Sequence, residues 1–167
     1  MATTITKQTL VDNNRRAIIK IVGEGGTDAN ASLIDVSSLA YSLNANNKIL
    51  GTGTDKKQYY RTEIKRVWGQ GHMGNGKYVT LKWNNISSNN AIVTFGDGAF
   101  NYNFDAEGST ASITNPNVAN GNGNIVFSST AGATDAWTLF LDIKKDGKDF
   151  DQGQTRDPAA FNPARIP

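Results

Sequence analysis

The sequence predicts an all-β protein built as a single antiparallel β-sandwich. From Asp135 to Lys145, the large residues Trp137, Leu139, Leu141 and Ile143 alternate with a mostly polar set that also contains Phe140, which is the period of a strand that buries one face. Gly is frequent (17 residues), as are Asn, Ser and Thr, and hydrophobic residues make up 38%, a composition that favours short strands joined by turns. No apolar rhythm of helical period extends beyond two turns, so we expect no long helix.

Further strand candidates follow one another along the chain. Turn-forming residues separate them. Asp12-Asn13-Asn14 predicts either a hairpin between the first two or one strand with a bulge, and Gly96-Asp97-Gly98 predicts a tight hairpin later in the chain. Many short strands at this spacing indicate two packed sheets, of which the jelly roll is one variant. The candidates are Ile5 to Val11, Arg16 to Val22, Ser32 to Leu39, Gln58 to Trp68, Tyr78 to Trp83, Ala91 to Phe95, Phe100 to Phe104 and Asn124 to Ser128.

The core is predicted from the alternating large apolar positions of these strands. In the strand from Gln58 to Trp68, the charged set that includes Arg61, Glu63 and Lys65 is expected to face water or another subunit, which places Trp68 inside. The predicted core residues are Trp68, Val79, Leu81, Trp83, Phe100, Trp137, Leu139, Leu141 and Ile143.

The amino-acid composition changes after Lys145. Residues 146–167 hold three of the four prolines and few large apolar residues, so they cannot build a core of their own. We therefore predict a sandwich domain at residues 1–145 and an extended C-terminal arm at residues 146–167 that docks on another subunit. The partner-binding residues would be the apolar anchors Phe150, Phe161 and Ile166, with rim contacts from Arg156 and Arg165.

Charge and composition narrow the class of partner. The 17 basic and 15 acidic residues are scattered, so no basic field for a nucleic acid is expected. The absence of cysteine excludes disulfides, thiol nucleophiles and Cys-based zinc sites. The chain has no apolar run of the roughly 18 to 20 residues that a membrane span needs and no apolar signal core near Met1, so we expect a protein made in a cytoplasm and not bound to a membrane.

The residues that carry catalysis or bind metals form no recognisable pattern. His72 is the single histidine and lies in a glycine-rich stretch typical of a turn. Asp146, Asp149 and Asp151 lie close together, but their spacing does not match a calcium-binding loop. Neither glycine-rich stretch has the lysine and Ser/Thr of a phosphate-binding loop. We therefore predict no catalytic residue, no cofactor and no metal, and hence no enzyme.

A glycan-related function is the main alternative from the residues alone. A glycosidase needs two facing carboxylates, whereas the three glutamates lie on a charged strand face or in polar loops: Glu24, Glu63 and Glu107. A carbohydrate-binding sandwich would instead use aromatic side chains lining a groove. The candidates for such a groove are Tyr59, Tyr60 and Tyr78.

Several segments together resemble a known group of proteins. They are residues 11–21 (VDNNRRAIIKI), 33–39 (LIDVSSL), 63–68 (EIKRVW), 79–83 (VTLKW) and 137–145 (WTLFLDIKK). In this order they resemble small virion structural proteins of tailed bacteriophages, especially marine and cyanobacterial ones, over roughly Thr3 to Lys145.

The resemblance implies a non-enzymatic particle component located in the virion. The expected role is that of a capsid decoration or cement protein, whose partners are the major capsid protein and neighbouring copies of itself, as a homo-oligomer on the particle. A neck or tail component of the same particle remains the alternative, and a carbohydrate-binding sandwich is the competing function.

Overall fold

The computed structural model describes residues 1–50, 55–85, 89–104, 112–116 and 121–153. These residues form ten β-strands and one short 3₁₀ helix at Val36–Ser38. No helix within these ranges is long and apolar enough to cross a membrane. The strands are β1 (Thr4–Asp12), β2 (Arg16–Glu24), β3 (Asp28–Ile34), β4 (Thr62–His72), β5 (Val79–Asn85), β6 (Asn90–Phe95), β7 (Gly98–Asn103), β8 (Ile113–Thr114), β9 (Gly121–Ser129) and β10 (Ala136–Lys145).

The strands form two antiparallel sheets that pack face to face. Sheet A has the order β1-β2-β10-β4-β7, with β8 paired to β4, and sheet B has the order β3-β9-β5-β6. The chain passes from one sheet to the other between most successive strands, and its last strand, β10, lies between β2 and β4. This is the strand order of a jelly roll. The prediction of an all-β sandwich is therefore confirmed.

The core lies between the two sheets and is centred on β10. Leu139, Leu141 and Ile143 are fully buried, as the alternating pattern predicts. Trp137 is buried next to two glycines that lie opposite it in register, Gly23 of β2 and Gly71 of β4. A Cβ atom at Gly23 would lie 2.2 Å from the indole ring, so this glycine makes room for the largest side chain of the core.

Trp68 was predicted to be in the core, and this prediction is wrong. Ile64 of β4 pairs with Ile143 of β10, whereas Arg66 pairs with Asp142, so a β-bulge at Lys65 inserts one residue into β4. A one-residue shift exchanges the two faces of a strand. Beyond the bulge, Val67 is therefore buried, and Trp68 is half-buried on the outer face of sheet A.

The other predicted core residues follow the pattern closely. Val79, Leu81 and Trp83 of β5 are buried, which confirms their assignment. Phe100 of β7 is only partly buried, but it packs against the core, where its ring stacks on Phe95 at a centroid distance of 4.2 Å. This burial is consistent with the position of β7 at the edge of sheet A.

Two strand predictions need correction. The strand predicted over Ser32 to Leu39 ends at Ile34, because the Asp35 carboxylate accepts hydrogen bonds from the Ser37 amide (3.0 Å) and hydroxyl (2.7 Å) and caps the 3₁₀ helix. The predicted hairpin across residues 96–98 is also absent: β6 pairs with β5 in sheet B, whereas β7 pairs with β4 in sheet A. The glycines of this link carry the chain between sheets.

The hairpin predicted between the first two strands is confirmed, with β1 and β2 paired along their length. Asn13 stabilises the turn, because its side-chain oxygen accepts hydrogen bonds from the amides of Arg15 and Arg16, both at 2.9 Å.

Residues 146–153 belong to the sandwich rather than to an arm. Phe150 is 0% exposed and its ring lies 5.8 Å from that of Tyr60, so the prediction that it anchors a partner is wrong. The backbone holds this segment in place, since the Leu43 amide donates to the Asp149 carbonyl (2.8 Å) and the Asp151 amide donates to the Tyr41 carbonyl (2.8 Å). The remaining predicted partner-binding residues lie outside the described residues: Arg156, Phe161, Arg165 and Ile166.

Buried ion pairs fix the same segment. The Asp149 carboxylate is almost fully buried and accepts hydrogen bonds from the Arg61 guanidinium at 2.6 and 2.9 Å and from Lys57 Nζ at 3.2 Å. Burial alone would raise the pKa of Asp149, but these donors outweigh it and hold the pKa below its ordinary value. The first part of the segment predicted to dock on another subunit is thus attached to its own domain by both packing and charge.

Candidate docking face

The outer face of sheet A carries aromatic and basic side chains in one row. Lys20 of β2, Phe140 of β10 and Trp68 of β4 lie opposite one another in register, and Asn101 of β7 completes the row. Phe140 and Trp68 are half-buried, whereas their inward-facing chain neighbours, such as Leu139, are buried. We refer to Lys20, Phe140, Trp68 and Arg66 as the docking row.

The two rings of the docking row stack on each other. The centroids of Trp68 and Phe140 are 5.3 Å apart and their planes differ by 10°. The Arg66 guanidinium lies 4.8 Å from the Trp68 centroid, and its Nε donates to Asn101 Oδ1 at 2.9 Å. Because Phe140 is on the β10 side and Asn101 on the β7 side, the indole has a neighbour on each of its two faces and presents its edge to solvent.

Acidic side chains near the docking row are bonded to basic ones. Asp142 accepts two hydrogen bonds from the Arg16 guanidinium, at 2.7 and 2.6 Å, and is itself buried. Glu63 accepts hydrogen bonds from Ser112 (2.8 Å) and Lys144 (3.2 Å). Burial raises the pKa of Glu63, but these bonds outweigh it and lower the pKa below its ordinary value. Asp142 and Glu63 are therefore bonded to Arg16 and Lys144, although Asp142 also lies opposite Arg66 in register.

A shallow depression lies beside the docking row. It has a volume of about 500 Å³ and is lined by residues of β4 and β10, among them Gln70, His72, Ala136, Thr138 and Phe140. The lining combines aromatic and small residues with the polar side chains of Gln70, His72 and Thr138. Its size suits an apolar side chain of a partner protein.

The outer face of sheet B has a different character. Lys82 of β5 donates to Ser128 Oγ at 2.7 Å and to Asn30 Oδ1 at 3.1 Å. Thr80 Oγ1 and Thr94 Oγ1 share a hydrogen bond of 2.9 Å across β5 and β6. On the outer faces of the described strands, the stacked Trp68–Phe140 pair lies on sheet A, whereas these sheet B side chains bond to one another.

The residues considered for catalysis or metal binding are placed apart from one another or engaged in bonds. His72 is exposed at the end of β4, where it lines the depression. Asp149 is buried among basic groups, so it does not belong to a calcium loop. Glu24 is exposed, Glu63 is bonded to Lys144, and Glu107 lies outside the described residues. Among the described residues, no group of three or more His, Cys, Asp or Glu side chains is arranged to hold a metal ion.

The tyrosine groove proposed for a glycan ligand does not form as expected. Tyr60 is buried and its hydroxyl donates to the Leu43 carbonyl at 2.8 Å, so it cannot line an external groove. Tyr78 is exposed. Tyr59 is half-buried, and burial raises the pKa of its hydroxyl.

The docking row was not predicted from the sequence. The sequence feature that could have identified it is Phe140, a large aromatic residue on the otherwise polar face of β10, between Thr138 and Asp142. Trp68, on which Phe140 stacks, was assigned to the core because the sequence alternation does not reveal the bulge at Lys65.

Comparisons with known proteins show no family. No family model matches the chain, and no curated protein matches it. Among solved structures, one named BiXyn10A CBM1 APO aligns over 87% of this chain and 92% of its own, with 11% sequence identity and a TM-score of 0.34. A similarity this low carries no argument about function.

Proposed function

We propose that the protein is a non-enzymatic structural component of a tailed-phage virion, made in the host cytoplasm. In this proposal it is a capsid decoration protein that binds and stabilises the lattice of the major capsid protein, next to further copies of itself. The observation that carries the proposal is the docking row on the outer face of sheet A. The resemblance of the strand segments to small virion proteins supports the assignment to a phage particle.

The composition of the docking row supports a protein partner. Tryptophan, arginine and other aromatic residues are enriched in protein interfaces, where a few such side chains contribute most of the binding free energy. In the docking row, Trp68, Phe140 and Arg66 hold one another in fixed positions, so little side-chain entropy is lost on binding.

The orientation of the indole argues against a sugar or a base as the ligand. Both kinds of ligand bind aromatic residues by stacking on an exposed ring face. The two faces of Trp68 are occupied by Phe140 and Arg66, which leaves the ring edge for contact. An edge contributes apolar area to a protein interface but no stacking platform.

The first test is the number of copies in purified virions, determined by quantitative mass spectrometry. A capsid decoration protein follows the symmetry of the shell and is expected on the order of hundreds of copies per particle. About a dozen copies or fewer would assign the protein to the neck or tail instead. Its absence from purified virions would contradict the proposal.

The carbohydrate-binding alternative is tested on a glycan array with the purified chain. Saturable binding at millimolar or lower concentration, abolished by changing Tyr78 or Tyr59, would favour that alternative. The proposal predicts no such binding, because Tyr60 points into the core and Trp68 offers no free ring face.

A further inference from the structure

We infer that the outer face of sheet A recognises an acidic segment of its protein partner. Carboxylates of that segment pair with Lys20 and Arg66, and one apolar side chain enters the depression beside Phe140. The inference rests on the proposed function in one respect, namely that the partner is a protein. It adds the chemistry by which the partner is recognised.

The distribution of charge leads to the acidic partner. Lys20 and Arg66 lie on either side of the stacked rings, because Lys20 is opposite Phe140 on β2 and the Arg66 guanidinium is on the β7 side of Trp68. Asp142 and Glu63 of this face are bonded to Arg16 and Lys144, and the exposed Glu24 lies opposite Ala136, four residues along β10 from Phe140. Lys20 and Arg66 therefore make the docking row itself positive, and a complementary partner segment is negative.

The depression adds a requirement for an apolar group. It lies directly next to the docking row, since Phe140 belongs to both. Thr138 and Ala136 keep its wall low along β10, and Gln70 and His72 form its polar rim. A side chain such as leucine placed here is removed from water next to the Phe140 ring, while neighbouring carboxylates on the docking-row side reach the two cations.

Nucleic acid would also supply negative charge, but it fits the face less well. A single strand binds through bases stacked on aromatic faces and through phosphates along a continuous basic groove. Trp68 presents its edge, and Arg66 lies opposite the Asp142 carboxylate and bonds Asn101, which interrupts any continuous basic track across the strands. An acidic polypeptide is the partner that these observations favour.

The test uses synthetic peptides and the intrinsic fluorescence of the full chain. Trp83 and Trp137 are 1% and 2% exposed, so the emission change on binding at the outer face comes mainly from Trp68, with Trp137 beneath the depression as the second contributor. The probe is a peptide in which glutamates flank one leucine. The matched peptides carry alanine instead of leucine or lysines instead of glutamates, and an oligothymidylate represents nucleic acid. The protein variants are Lys20→Glu/Arg66→Glu and, as a control on the opposite sheet, Lys82→Glu.

The glutamate–leucine peptide is expected to bind the wild type saturably, and the lysine peptide is not. The double variant should bind the acidic peptide at least about tenfold more weakly, since the two half-buried cations of the docking row are replaced by anions. This difference should shrink between about 0.05 M and 0.5 M salt because charges in contact with solvent are screened. The alanine peptide should bind more weakly at every salt concentration, and Lys82→Glu should bind like the wild type.

Three results would overturn the inference: no saturable binding of the acidic peptide, equal binding by the double variant, or tighter binding of oligothymidylate than of the peptide. The proposed function fails on a different observation, the absence of the protein from purified virions. If the protein is present in virions but does not bind the acidic peptide, the proposed function stands and only the inference about an acidic partner segment fails.

Discussion

A chain truncated after Asp146 is expected to lose most of its stability, whereas a chain truncated after Gly153 is expected to melt close to the full-length protein. The difference lies in residues 147–153. Phe150 is fully buried against Tyr60, and removing a buried phenylalanine ring typically costs about 3–5 kcal/mol. The same truncation removes Asp149 and leaves Arg61 and Lys57 without their buried counter-charge.

Urea denaturation followed by circular dichroism measures both truncations, with Phe150→Ala as a point variant that leaves the chain length unchanged. The shorter truncation retains every contact made by Phe150 and Asp149 and serves as the matched control. If the chain ending at Asp146 melted like the full-length protein, residues 147–153 would not be part of the domain.

The second large effect is expected at Lys145, whose side chain is 0% exposed. Its ammonium group donates to the Asp12 carboxylate and to the carbonyls of Asn13 (2.6 Å) and Ala40 (2.8 Å). Asp12→Ala removes the only carboxylate among these acceptors and leaves a buried cation. A change of this kind costs about 3–5 kcal/mol. Asp12 also accepts from the Ala40 amide at 2.9 Å, which adds to the loss.

The pH dependence of this variant follows from Lys145. Burial lowers the pKa of Lys145 below its ordinary value of 10.5, and Asp12 opposes that change. Without Asp12 the folded state disfavours the proton more strongly. The loss of stability caused by Asp12→Ala is therefore largest below the pKa of Lys145 in the folded state. It decreases as the pH rises towards 10.5, where Lys145 of the unfolded chain also loses its proton.

Unfolding midpoints in urea between neutral and alkaline pH measure this effect. The double variant Asp12→Ala/Lys145→Met serves as control, because it removes both charges and should recover much of the lost stability. A destabilisation by Asp12→Ala that is small, or that does not diminish at alkaline pH, would show that Lys145 is not held as a buried ammonium.

The sequence is sufficient for the fold class because β10 carries an unbroken alternation. Trp137, Leu139, Leu141 and Ile143 occupy one face without interruption, and the structure places all of them in the core. Trp137 additionally depends on Gly23, whose role is not apparent from periodicity, because a missing side chain on a neighbouring strand leaves no pattern of its own.

The candidate site is harder to predict because it depends on register between distant strands. Trp68 and Phe140 become neighbours only when β4 and β10 pair, and Trp68 faces outward only because of the bulge at Lys65. The burial of Phe150 has the same origin, since it depends on a turn at Asp146 and on pairing with residues near Ser42. Composition correctly marks residues 146–167 as different but does not show that their first part folds onto the domain.

The most direct measurement of the central claim is rebinding to virions that lack the protein. Wild-type protein is expected to bind such particles saturably, whereas Trp68→Ala/Phe140→Ala should lose about 30-fold or more in affinity, as expected for hot-spot residues worth about 2 kcal/mol or more. Lys82→Ala on the outer face of sheet B is the control, and unfolding curves verify that all variants are folded. Equal binding by the wild type and the double variant would contradict the claim that the outer face of sheet A attaches the protein to the particle.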